Sequence, residues 1–86
     1  MSRDKVLTFA REYGIKKEGI AKQVIENQFL LENEKIELLK TIRNRDSERF
    51  LSILLKHIEN EMINTSQHLK AVLELKINMS KGGLHQ

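Results

Sequence analysis

Between Asp46 and Met79 the chain holds neither glycine nor proline, and its apolar residues keep a helical spacing from end to end. In alternating steps of four and three, the positions are Leu51, Leu55, Ile58, Met62, Thr65, Leu69, Val72, Lys76 and Met79. This is a heptad-type seam interrupted by polar residues at Thr65 and Lys76. A second row, Leu54, Val72, Leu73 and Ile77 with Ile53 and Leu75 beside it, widens the stripe. The spacing predicts one long helix over 46–79, on the order of 50 Å, which exceeds the body that so short a chain forms alone. A second copy is therefore expected to cover it. The dimer interface read this way is Leu51, Leu55, Ile58, Met62, Leu69 and Val72, with Thr65 and Lys76 setting register. The first half of the helix is expected to serve the monomer core and the second half the dimer.

Eighty-six residues make one domain, close to the size at which a single core is only just sufficient. With 40% apolar residues and little aromatic content, the core must come mainly from Ile, Leu and Val. The absence of cysteine excludes disulfide and thiolate-metal staples. No apolar run reaches transmembrane length, and the first residues carry neither a cleavage site nor an anchor, so a soluble, cytoplasmic protein with no membrane partner is expected. The net charge of +3 is a mild excess, concentrated toward the two ends of the chain.

Ahead of the long helix, the pattern predicts three shorter ones, at about residues 3–13, 17–31 and 34–43. Ser2 is placed to cap the first, whose Val6, Phe9, Ala10 and Tyr13 share a face. Gly14 followed by Ile15 reads as a left-handed helix stop with an apolar residue folding back over the last turn. The second helix carries two apolar rows, Ile20, Val24 and Leu31 on one side and Ala21, Ile25 and Phe29 on the other, so it is expected to lie between neighbours. Asn33 reads as a break or kink before the third helix, which buries Ile36, Leu39 and Ile42. Residues 44–46 make a corner, and 80–86, with two glycines, read as a flexible C-terminal tail.

Within this layout Phe9-Ala10, Gly14-Ile15 and Ile20 reproduce a known spacing. The stretch from Val6 to Ile25, about a quarter of the chain, resembles the helix-turn-helix of phage-repressor-type DNA-binding proteins. The resemblance implies a recognition helix over Lys16 to Ile25. Lys16, Lys17, Ala21 and Lys22 would then meet double-stranded DNA, and Arg11 on the preceding helix would meet its backbone. The sequence departs from the motif at Gln23, where an apolar residue is usual, and at Lys16, where Ser or Thr usually caps.

Three histidines raise a metal reading. His57 and Glu61 are one turn apart, but no second pair stands at ligand spacing, so neither a metal nor another cofactor is expected. His57 and His68 read as boundary residues and His85 as part of the tail. Glu32/Glu34 and Glu59/Glu61 read as solvated helix faces. Without a nucleophile elbow or a phosphate-binding loop, no catalytic residues are assigned and an enzyme is not expected.

The resulting expectation is an all-α bundle of three short helices and one long C-terminal helix, forming a homodimer. Its function is expected to be that of a small DNA-binding transcriptional regulator. The alternative is a non-enzymatic protein-protein interaction module, an inhibitor, adaptor or assembly factor, with Ile25 and Phe29 on the partner surface.

Overall fold

The computed structural model describes residues 4–60 and 65–82, with side chains through residue 79. The described residues form five helices and no strand: α1 (Lys5–Glu12), α2 (Gly19–Glu26), α3 (Glu32–Asn44), α4 (Ser47–Asn60) and α5 (Ser66–Gly82). The all-helical class is as expected; the number and lengths of the helices are not.

Each boundary has a local cause. The α1 N-cap is Asp4, whose carboxylate accepts the backbone N–H groups of Val6 and Leu7 at 3.0 and 3.1 Å; Ser2, the expected cap, lies outside the described residues. The stop after α1 is the one the sequence predicts. Gly14 takes φ +68, Ile15 N–H donates to Ala10 C=O at 2.8 Å, and the Ile15 side chain is buried. Residues 16–18 do not join α2, because Gly19 sits at φ +59, outside the right-handed helical region. The helix expected over 17–31 ends at Glu26. There the Asn27 side chain turns the chain by accepting the N–H groups of Phe29 and Leu30 at 2.8 and 3.1 Å, and Asn27 is itself buried.

Between α3 and α4 the chain reverses through Arg45 in the left-handed region, at φ 56 and ψ 41. Asp46 N–H closes on Thr41 C=O at 2.9 Å, and the Asp46 carboxylate then accepts Arg49 N–H at 3.1 Å at the start of α4.

The largest departure concerns the long helix expected over 46–79. It is two helices, and α5 folds back along α4 as an antiparallel hairpin, with His57 against His68 and Leu54 and Leu51 near Val72 and Lys76. Thr65 marks the second start: its Oγ1 accepts His68 N–H at 2.9 Å and its carbonyl accepts Leu69 N–H at 3.1 Å. The polar residue read as a flaw in a continuous seam is a helix cap. At the other end α5 continues to Gly82, so residues 80–82 are helical and not tail; residues 83–86 lie outside the described part.

The centre of the molecule is α3, which packs against α1, α2 and α4, while α5 closes over α2 and α4. Leu38, Leu39 and Ile42 of α3 meet Val24, Phe50, Leu54, Val72 and Leu75 in one core cluster. Tyr13 is not part of it. Half exposed, it stacks on Phe9 with ring centroids 4.4 Å apart, and the Arg43 guanidinium sits 5.5 Å above its ring. The radius of gyration, 12.2 Å, is close to the roughly 12 Å expected for a folded chain of this length. Hairpin formation thus buries part of the seam, Val72 and Met79, within one molecule.

Candidate functional site

The residues assigned to DNA separate in the structure. Arg11, Lys16, Lys17 and Lys22 are all exposed, and the Lys17 ammonium lies 3.3 Å from Glu26. Ala21 is completely buried in the core, which corrects its expected place on an outer face. α1 and α2 find their main neighbours in α3, and for α2 also α5, rather than in each other. The small residue at position 10 and the Gly14 turn therefore serve a hairpin anchored on a third helix. Lys16 and Lys17 precede α2 and do not lie on its face.

The partner-surface assignment changes in a similar way. Ile25 is a core residue, since α2 is covered by α3 and α5 on both of its apolar rows. Phe29 is half-buried after the end of α2, its ring stacked on His68 with centroids 4.6 Å apart and planes 10° from parallel.

Of the residues assigned to the dimer interface, Val72 is core, because the folding back of α5 turns it inward. Met62 lies outside the described residues. Leu51 and Ile58 are half-buried, and Leu55 and Leu69 are exposed. Leu73 and Ile77, one and two turns beyond Leu69, complete an apolar outer face on the hairpin. A shallow cleft of about 140 Å³ runs between α4 and α5 on this side, lined by Leu51, Leu54, Leu55, Ile58, Val72, Leu73 and Lys76. Lys56 and Glu59 on α4 and Lys70 and Glu74 on α5 stand exposed on the hairpin.

The strongest polar feature was not expected. Glu34, His57 and His68, drawn from three helices, form a continuous chain through the core. The Glu34 carboxylate lies 3.0 and 3.1 Å from His57 Nδ1, and the Nε2 atoms of His57 and His68 are 2.9 Å apart. Both histidines are buried, His57 almost completely at 1% exposure. The same carboxylate accepts Leu31 N–H at 2.8 Å, tying the start of α3 to the cluster. Glu34 was read as part of a solvated pair, and His57 and His68 as separate boundary residues. One sequence signal was available: Asn-Thr-Ser before His68 is a helix start, and a turn just ahead of it places position 57 opposite 68.

A carboxylate that accepts from a backbone N–H uses its remaining lone pairs on His57 Nδ1–H. His57 Nε2 and His68 Nε2 must then share one proton, one donating and the other accepting. The cluster offers two nitrogen donors to a metal, and among the described residues no group of three His, Cys, Asp or Glu is placed to hold one. No helix among the described residues is long and apolar enough to cross a membrane.

No family model, curated protein or solved structure matches this chain.

Proposed function

We propose that this protein is a small helical protein-protein interaction module that works by self-association through the outer face of the α4–α5 hairpin. The observation that carries the reading is that Leu55, Leu69, Leu73 and Ile77 stand 40–54% exposed on one side of a small domain. A clustered apolar face of this kind marks an interaction site. Leu51 and Ile58 extend it along α4.

A second copy suits this face. Along α5, Lys70 and Glu74 alternate in sign one turn apart, so a two-fold antiparallel pairing sets Lys70 of each copy near Glu74 of the other. Two hairpins brought together in this way complete a four-helix arrangement with the leucines inside. Binding rather than catalysis is favoured because the His57 side chain is shut away from any substrate. The DNA-binding reading has less support: its basic residues are exposed, but α1 and α2 find their main neighbours in α3 rather than in each other, and Ala21 is buried.

Sedimentation equilibrium of the wild type and of a Leu69→Glu/Leu73→Glu variant tests the proposal. A wild-type dimer at micromolar concentration and a folded, monomeric variant are expected. A wild type that stays monomeric to millimolar concentration contradicts self-association, and salt-dependent binding of a random-sequence duplex would restore the DNA reading.

A further inference from the structure

From the Glu34–His57–His68 chain we infer that the α4–α5 hairpin is held by a proton-operated latch, which couples its self-association to pH. The coupling half of this inference rests on the self-association reading above; the latch half does not. The two histidines form a polar link between α4 and α5 within the core, and Glu34 extends that link to α3.

Counting hydrogen-bond donors and acceptors defines the states. With both rings neutral, His57 Nδ1–H donates to Glu34, and His68 Nε2–H donates to His57 Nε2. One added proton is accommodated without loss: His57 becomes an imidazolium that donates to Glu34 on one side and to His68 Nε2 on the other. A second proton is not. Both Nε2 atoms would then carry hydrogen, no acceptor would remain between them, and two like charges would face each other across 2.9 Å. The rings must part, and with them the ends of α4 and α5.

Among the described residues, little offsets this. From α3 Glu34 is hydrogen-bonded to the cluster, and its carboxylate already serves His57 and Leu31; Lys35 is turned to Ile25 C=O at 2.7 Å and Glu37 pairs with Lys40. On α4, Arg49 and Lys56 line the polar groove that also contains Glu34 and Glu37, bringing positive charge nearby, while Glu59 is exposed. On α5, Lys70 and Glu74 are exposed. The segment after α2 contributes Phe29, whose ring stacks on His68 and offers no conventional acceptor.

The sign follows from proton uptake. Below roughly pH 6.5 the unfolded chain takes a proton on each imidazole, whereas the latched cluster keeps its bonds with only one. The unfolded or opened state therefore binds more protons, and stability falls as pH falls.

The test compares the wild type with His68→Gln, in which a side-chain amide oxygen can accept from His57 Nε2–H and no second cation forms. Urea unfolding and sedimentation are measured at pH 7.5 and pH 5.0. Between these values the wild-type unfolding constant is expected to rise at least about tenfold more than that of the variant, the effect of one proton across a pH unit. The wild-type dimer should weaken in parallel. Equal pH dependence in the two proteins overturns the latch. A wild type that shows the stability difference but is monomeric at both pH values overturns the coupling and leaves the latch standing. Should His68→Gln not fold, ring-nitrogen NMR of the wild type decides. A shared Nε2–H···Nε2 coupling at pH 7.5 that persists while the folded cluster holds one added proton is expected, and two rings that titrate independently overturn the latch.

Discussion

The α4–α5 hairpin has two apolar faces made of the same residue types at the same helical spacing, and they meet different surroundings. Inward, Leu54, Val72 and Leu75 are at most 2% exposed among the side chains of α2 and α3. Outward, Leu55, Leu69, Leu73 and Ile77 remain open. Spacing specifies that a helix has an apolar stripe; it does not specify whether that stripe finds its cover within the chain or beyond it. A hairpin can take one wide stripe and divide it between the two.

Substitutions on the two faces should therefore separate cleanly. The largest effect is expected inside. Leu54→Ala, or Leu75→Ala, should cost about 2–5 kcal/mol of monomer stability, read as a lower urea midpoint, because the tightly packed core relaxes only partly around the lost volume. That is a large share of the roughly 5–15 kcal/mol that a domain has in total. Outside, Leu69→Glu with Leu73→Glu should leave circular dichroism unchanged. Its effect should be on the dimer dissociation constant, raised at least about 100-fold if the two leucines are central to the contact. Equal unfolding by both sets would erase the distinction between the faces.

A third substitution sharpens the comparison at the polar link between the helices. Glu34→Ala removes the acceptor for His57 Nδ1–H and for Leu31 N–H together. It should destabilise by about 1–3 kcal/mol, the range for buried groups left without a partner. The smallest effect is expected at the corner before α4, where Arg45 holds a left-handed conformation that a side chain disfavours. Arg45→Gly should raise stability by about 0.5–1 kcal/mol in the same urea assay, relief of strain being partly offset by the freer unfolded chain.

How much of this was legible in the sequence depends on what each signal encodes. The Gly14–Ile15 stop was readable because a left-handed residue followed by an apolar one is a local pattern, and locally determined structure follows it. The break between α4 and α5 was hidden because the apolar spacing runs on in phase from one helix to the next, so that Thr65, with its polar neighbours Asn64 and Ser66, was what marked it. The break at Asn27 was likewise a single side chain accepting two backbone N–H groups. Long-range consequences followed from those two breaks. Once the seam is folded in half, Val72 moves into the core, and His68 comes against His57 and, through it, Glu34. Ala21 and Ile25 were misplaced for a related reason: with two apolar rows on a short helix, both sides are covered.

The most direct test of the central claim, that the outer face of the hairpin is where this protein meets a second copy of itself, is a dilution series followed by methyl NMR. The account predicts concentration-dependent shifts at the methyl groups of Leu51, Leu55, Ile58, Leu69, Leu73 and Ile77, with those of Val24, Leu38 and Leu39 unmoved. Shifts confined to the end bearing Lys16, Lys17 and Lys22, or none across the whole range, would contradict it.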